Sequence, residues 1–396
     1  MRLGYLVPEF PGQTHAFFWR EVQALRELGA EVFLLSTRDP GPGACAHAFA
    51  QAARAETKYL FPPAWQNALG GVRARFLAGE ARKYFGELGG GGVKEQLRQG
   101  VLIASALELR EVARRQRLDH VHVHSCANAA HVVAVAKLLG GPSYSLTLHG
   151  DLDVYGTGHA QKFRGASFVS VVTHALGQQV STRLGLDPSF LPVIRMGVDV
   201  KSLVPSPLRT EPPFRAVTVA RLNHAKGHVY ALEAVAELKK SGLPLRYDIA
   251  GTGPEEAAIR GHVARLGLES SVSLLGGLAE HQVRDLLVNA NAFLLTSFGL
   301  GEAAPVSVME AMASGRPVIC SRIGGTTEMI EDGRDGLLVP QQDITAIADA
   351  LRRLVSSPDL CAELGKQARA RALQDFDATA NARRLLHCIE AALPTG

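Results

Sequence analysis

G-E-A-A-P-V-S-V-M-E-A-M-A-S-G-R-P-V-I, residues 301–319, reads as a loop, a helix and a strand in immediate succession. Pro305 suits the first helical turn, where its missing N–H would have no partner anyway. The free amides of that turn point where a phosphate can bind. Glu302 lies in the loop ahead of the helix, and Glu310 about a turn and a half beyond Pro305. Glu302 is placed to accept from the hydroxyls of a sugar, and Glu310 from a ribose hydroxyl pair. The plainer alternative is a capping Glu302 and a helix-surface Glu310.

The same order of strand, turn and helix continues outward in both directions. Before it, residues 214–219, 245–250, 271–274 and 292–295 are short apolar runs separated by amphipathic stretches at 230–239, 255–266 and 280–289. After it come a strand at 336–339 and helical spacing at 344–355, 360–373 and 381–392. An earlier cycle places strands at 2–7, 31–36, 120–124, 144–148 and 168–172, with helices at 17–28, 129–139 and 175–184. Such alternation implies an α/β protein with parallel sheets wound on both faces. The Pro-rich stretch 203–213 divides the cycles and reads as a linker. The expected domains are 1–202 and 203–377, with a C-terminal helix within 378–396 crossing back to the first domain. The charged stretch before His120 has helical spacing and reads as an insertion into the first domain.

The chain has 396 residues, 46% hydrophobic and 20% charged, enough for two packed cores. Its net charge of +4 is uneven: residues 54–118 hold 12 basic against 6 acidic residues, including Arg73, Arg75, Arg82, Lys83, Lys94 and Arg98. Such a face leans on an anionic membrane surface or a phosphorylated acceptor, or is simply a solvated helix face. The five Cys include no C-x-x-C pair, which argues against a disulfide framework or structural zinc. With no signal-peptide pattern and no apolar run of spanning length, the expected place is the cytoplasm, with any membrane contact peripheral. No nucleic-acid partner is implied.

Three further segments carry chemistry. V-T-V-A-R-L-N-H-A-K-G, residues 217–227, ends a strand with Arg221 and sets Lys226 five residues on. A guanidinium fork and an ammonium at a strand end suit a diphosphate, although both residue types are also common on ordinary loops. P-E-F-P-G-Q-T-H, residues 8–15, offers Gly12 for close backbone approach and Thr14 as a helix N-cap. His15 and Glu21 read equally as acceptor-side residues and as capping or surface ones. S-L-T-L-H-G-D, residues 145–151, puts His149 at a strand end, either to orient a sugar hydroxyl or as a buried structural histidine. His120, His122 and His124 alternate along one strand and so face one side, but at roughly 7 Å spacing they cannot easily grip one ion; no metal site is expected.

These residues together resemble the retaining GT-B glycosyltransferases of family four, nearest the colanic-acid and exopolysaccharide biosynthesis branch. Y-L-V-P-E-F-P-G-Q-T-H-A-F-F-W-R-E, H-V-H-S, T-L-H-G-D-L-D-V-Y, R-M-G-V-D, A-R-L-N-H-A-K-G and E-A-A-P-V-S-V-M-E-A-M-A-S-G-R-P-V-I carry the resemblance over nearly the whole chain. It implies two Rossmann-like domains facing across a cleft, the first for acceptor and the second for a UDP- or GDP-sugar donor. It implies that Arg221 and Lys226 bind the donor diphosphate over Gly12. Glu310 would hold the ribose and Glu302 the donor-sugar hydroxyls, near the backbone of Ala303, Ala304, Pro305 and Val306. His149 would contact the donor sugar. The implied reaction is metal-independent transfer of a hexose-type unit, with retention, to a saccharide or lipid-linked acceptor. No cofactor beyond the nucleotide sugar is implied. Small Ala303 and Ala304, and Ser125 where the branch often has Phe, depart from the family pattern. A nucleotide-sugar epimerase or hydrolase, or a non-catalytic binder on the same scaffold, is the alternative. A dehydrogenase is disfavoured because the first strand-turn lacks G-x-G-x-x-G.

Overall fold

The computed structural model describes residues 1–64, 79–89, 92–299 and 302–393. The chain divides into two compact units. One comprises residues 1–45, 49–194 and 382–396; the other comprises 46–48 and 195–381.

The first unit is built on a six-stranded parallel sheet of β1 (Arg2–Glu9), β2 (Glu31–Arg38), β3 (Lys58–Phe61), β4 (His120–Val123), β5 (Ser143–Leu148) and β6 (Val169–Val171), in the order β3-β2-β1-β4-β5-β6. Its helices are α1 (Ala16–Glu27), α2 (Ala50–Glu56), α3 (Gly79–Leu88), α4 (Val93–Gln116), α5 (Asn128–Leu138), α6 (His159–Arg164) and α7 (His174–Leu184). The central strands are buried on both faces, which is why they read as near-continuous apolar runs. Leu3, Tyr5, Val7, Phe18, Val22 and Leu25 form one core, and Ala382, Leu385, Leu386 and Ile389 of the final helix are part of it. Four-residue β3, with a single buried side chain at the sheet edge, lies within the stretch read from the sequence as a helical insertion.

The second unit repeats the plan with β7 (Phe214–Val219), β8 (Leu245–Ala250), β9 (Val272–Gly276), β10 (Ala292–Leu295), β11 (Val318–Ser321) and β12 (Leu337–Val339), ordered β12-β11-β10-β7-β8-β9. The helices are α8 (His228–Lys240), α9 (Glu256–Arg265), α10 (Glu280–Val288), α11 (Val306–Ala313), α12 (Thr326–Met329), α13 (Ile344–Ser356) and α14 (Pro358–Asp375); the last helix, α15 (Ala378–Ala391), belongs to the first unit from Ala382 onward. The Pro-rich stretch is fastened to this unit. Arg316, fully buried and with no carboxylate partner among the described residues, donates to the carbonyls of Ser314, Ala290 and Ser206. Arg369 donates to those of Leu203, Ala313 and Val200. A guanidinium spread over several carbonyls satisfies chain reversals that hydrophobic packing alone would leave unpaired.

In each sheet the first strand of the unit lies beside its fourth, so the winding direction reverses between β1 and β4 and again between β7 and β10. In an open parallel sheet, ligands bind beyond the carboxyl ends of the strands at such a reversal. The loops after β1, β4, β7 and β10 are therefore where chemistry belongs.

Candidate active site

At the β7/β10 reversal the two strand-end loops are locked together. The Phe298 N–H donates to the Ala225 carbonyl at 2.9 Å, and Thr296 Oγ1 donates to the Gly227 carbonyl at 2.9 Å. Gly227 has φ +65°, and a Cβ there would lie 2.1 Å from the Thr296 carbonyl oxygen, so this junction closes only around glycine. It carries Lys226 to Glu302: the ammonium pairs with Glu302 Oε2, the same oxygen that accepts from Ser297 Oγ at 2.7 Å. Both ends of the ion pair are mostly buried, with side chains 17% and 10% exposed. A partly desolvated pair of this kind is held by its hydrogen bonds as well as by charge.

Glu302 is pinned from behind as well. Its carbonyl accepts from the Gly325 N–H at 3.3 Å, and a Cβ on Gly324, at φ +50°, would sit 2.1 Å from that carbonyl oxygen. Three residues on, Pro305 is the N-cap of α11, and its carbonyl receives the Val308 N–H. The amides of Val306 and Ser307, in the turn ahead of that bond, have no intrahelical acceptor. Ala304 is buried and Ala303 half-buried. Glu310 lies one turn further, half-buried. Arg221 is exposed, and His228 Nε2 lies 3.0 Å from its carbonyl, which fixes the backbone from which the guanidinium extends. The second unit thus brings Lys226, Glu302 and the start of α11 to one reversal point, with Arg221 at the end of the neighbouring β7 loop. Gly251 and Gly253, in the turn that follows β8, are packed against backbone: a Cβ would lie 1.8 Å from the Ala220 carbonyl oxygen and 2.2 Å from that of Leu222.

At the β1/β4 reversal of the first unit stands a buried polar chain. Tyr5 Oη donates to Glu21 Oε1 at 2.9 Å, and that oxygen lies 3.0 Å from His124 Nε2. The latter is an electrostatic contact rather than an aligned hydrogen bond. His124 Nδ1 in turn lies 3.1 Å from His149 Nε2. Phe17 and Phe18 wall the His149 ring, with centroids 5.5 Å away in each case. Burial drives His149 down to about 3, with His124 adding to the shift, and burial alone takes His124 to about 3. Burial raises Glu21, opposed by nearby histidines and the Tyr5 hydrogen bond. Both imidazoles are accordingly neutral near pH 7.

His15, not Thr14, is the N-cap of α1, and its side chain makes no capping bond. The ring stacks on Phe10 and meets Phe18 edge-on instead, and a Cβ on Gly12 would lie 2.7 Å from its Nδ1. Gly12 therefore seats the His15 ring. Burial lowers His15 to about 4, partly offset by the Glu9 charge. Within β4, His120 and His122 are spent on hydroxyls. His120 lies 2.8 Å from both Ser143 and Ser145, and His122 lies 2.7 Å from Ser145 and 2.8 Å from Thr147. Among the described residues no cluster of His, Cys, Asp or Glu could hold a metal ion.

In the basic stretch, Arg54 pairs with Asp39, Lys58 with Glu108, Arg98 with Glu95, and Arg114 and Arg115 with Glu111. Arg73 and Arg75, and the side chain of Arg82, lie outside the described residues. No described helix is long and apolar enough to cross a membrane. Ser297, Tyr5 and the His124–Glu21 contact are the site features that motif reading did not single out.

A doubly wound unit with cations and a helix start at its reversal point, joined in one chain to a second unit of the same strand order, is the architecture of a GT-B glycosyltransferase. The family described as "Glycosyltransferase Family 4" matches residues 16–202, and "Glycosyl transferases group 1" matches residues 201–371. The chain belongs to these glycosyltransferases. It is 32% identical to WcaL of Escherichia coli (strain K12), assigned to colanic acid biosynthesis, over 61% of this chain and 60% of WcaL. It is 33% identical to the amylovoran biosynthesis glycosyltransferase AmsK of Erwinia amylovora, over 53% of this chain and 50% of AmsK. These matches thus span three fifths and half of the relatives' own lengths. The structure of Anabaena Alr3699/HepE in complex with UDP and glucose shares the fold, with a TM-score of 0.76 at 18% identity over 99% of this chain and 100% of that one.

Proposed function

We propose that this protein transfers a hexose-type sugar from a UDP- or GDP-sugar to a saccharide or lipid-linked acceptor in exopolysaccharide or glycoconjugate biosynthesis, without a divalent metal and with retention at the anomeric carbon. The observation that carries this reading is the meeting of Lys226, Glu302 and the amides that open α11 at one reversal point. Cleavage of the anomeric C–O bond leaves negative charge on the diphosphate. Lys226, Arg221 and fixed amides are suited to hold that charge where no ion supplies it. In this reading Glu302, fixed by Ser297, accepts from donor-sugar hydroxyls, Glu310 accepts from the ribose, and His149 is a contact for the donor sugar.

No side chain at the site is an evident nucleophile. The reading is therefore attack from the face that the nucleotide leaves, with the departing phosphate taking the proton of the acceptor hydroxyl. The new glycosidic bond forms as the bond to the diphosphate breaks. Exposed Val93, Leu97 and Val101, spaced four apart along α4 beside exposed Lys94, support peripheral contact of the first unit with an anionic membrane, where a lipid-linked acceptor is found.

The test is a panel of UDP- and GDP-sugars incubated with free and lipid-linked saccharides in the presence of EDTA, with the product anomer read by NMR. Donor consumption only when acceptor is present supports a transferase, whereas consumption without any acceptor favours an epimerase or hydrolase. An inverted product or a trapped glycosyl-enzyme refutes the mechanism.

A further inference from the structure

The cation assigned to the donor diphosphate is ion-paired with the carboxylate assigned to the donor sugar. Lys226 Nζ donates to Glu302 Oε2, and Lys226 is the one cation paired with that carboxylate among the described residues. Both residues are held at their backbones. The Lys226 N–H donates to the Asn223 carbonyl at 3.1 Å, and the Glu302 carbonyl accepts from the Gly325 N–H at 3.3 Å. Ser297, itself buried, donates from Oγ to the same Glu302 oxygen at 2.7 Å. An anion that approaches Lys226 thus meets a carboxylate as well.

An ammonium has three N–H donors and can hold a carboxylate and a phosphate at once. Two such bonds at a tetrahedral angle set the anionic oxygens roughly 4.5 Å apart. The Lys226 and Glu302 side chains are mostly buried, and there like charges at that separation repel far more than in water. Hydroxyls that donate to Glu302 offset the repulsion, because hydrogen bonds to a carboxylate stabilise its charge. A sugar ring supplies such hydroxyls at that place. A nucleoside diphosphate lacks the sugar, and its free terminal phosphate carries more negative charge than the esterified one.

We propose that Glu302 is a specificity-determining residue that selects the intact nucleotide sugar over the nucleoside diphosphate left after transfer. This rests on the reading of Lys226 as a diphosphate ligand and of Glu302 as an acceptor for sugar hydroxyls, and it gives the pair a role that neither residue has alone. While the donor is whole, its hydroxyls cover the Glu302 charge. Once the sugar has passed to the acceptor, the uncovered carboxylate faces the diphosphate across the shared ammonium and favours its release. Ser297 sets the strength of the effect, since its hydroxyl already stabilises part of that charge.

The experiment is titration calorimetry on the full chain at one ionic strength, with UDP, GDP and a panel of UDP- and GDP-sugars. The quantity read is the ratio of the nucleoside diphosphate Kd to that of the matching nucleotide sugar. Glu302→Gln keeps the shape and removes the charge; it should tighten the diphosphate about tenfold and leave the nucleotide sugar within about threefold. Ser297→Ala changes no charge and should move the ratio the opposite way, by about threefold. A folded Glu302→Gln that tightens both ligands equally, or neither, overturns the proposal. Where that variant does not fold, an unmoved ratio in Ser297→Ala overturns it. A wild-type chain that binds none of these nucleotides removes the donor-site reading and the selection with it, whereas an unmoved ratio with binding intact removes the selection alone.

Discussion

Acidification should loosen the first unit first. His120, His124 and His131 are buried there, and burial brings them to about 4, 3 and 3, the Lys137 charge assisting at His120 and those of Lys162, Arg98 and His159 at His131. In the unfolded chain a histidine titrates near 6.5. The folded value is the lower, so the unfolded state binds more protons as the pH falls through 6.5. The stability of the fold is complete above about pH 7.5 and declines from there toward pH 4. At pH 5.5 each group costs RT ln(1 + 10), about 1.4 kcal/mol, so the three together cost about 4 kcal/mol. Glu21 works in the opposite sense, because its raised carboxyl favours the fold as it becomes protonated, and it softens the fall at the acid end.

For a unit of this size, about 4 kcal/mol corresponds to a fall in Tm on the order of 10 °C between pH 7.5 and 5.5. Scanning calorimetry at the two values, with hydrogen exchange followed on peptides covering residues 120–124, 128–138 and 143–148, measures the shift and assigns it to the strands and the helix α5 around the histidines. A shift under about 2 °C, or histidine resonances titrating near 6.5 in the folded chain, would refute the reasoning.

Other outcomes follow from the second unit. Lys226→Ala should lose turnover by about 10²-fold or more, as expected for removal of a fixed cation from a developing phosphate charge; wild-type turnover with a proven donor would count against the site. Gly324→Ala forces a Cβ against the Glu302 carbonyl at a positive φ, and should destabilise the second unit by about 1–3 kcal/mol in denaturant melts while lowering kcat. Ser297→Ala removes a bond to a carboxylate, and should cost roughly tenfold in kcat with the fold intact by circular dichroism. A nucleotide sugar at 100 times its Kd should add about 2.7 kcal/mol, seen as a thermal shift that Lys226→Ala abolishes.

The central strands were legible because they are short, apolar and buried on both faces, and the helix after Pro305 because proline fixes where it starts. What escaped the sequence did so for physical reasons. β3 is four residues at a sheet edge, with one buried side chain and no periodicity to read. His15 takes the N-cap of α1 because aromatic stacking outweighs the capping propensity of Thr14. Ser297 carries no motif, and its meaning depends on the loop that turns Glu302 back onto it.

The histidine ladder shows a case in which the signal was present. H-x-H-x-H, running through β4 and one residue past it, and S-x-S-x-T on β5 share a period of two, and parallel pairing sets His120 beside Ser143 and His122 beside Ser145. Two polar ladders in strands that are otherwise apolar must satisfy each other, since each buried polar group otherwise lacks a partner. The same logic applies to Glu21. It shares the face of Phe18, Val22 and Leu25, and a carboxylate in an apolar stripe implies an inward partner. The first imidazole past the ladder is His124, and it is the one that turns to that carboxylate and to His149. The spacing that engages His120 and His122 within β4 therefore leaves His124, just past the strand, at the reversal point, where a ligand would come.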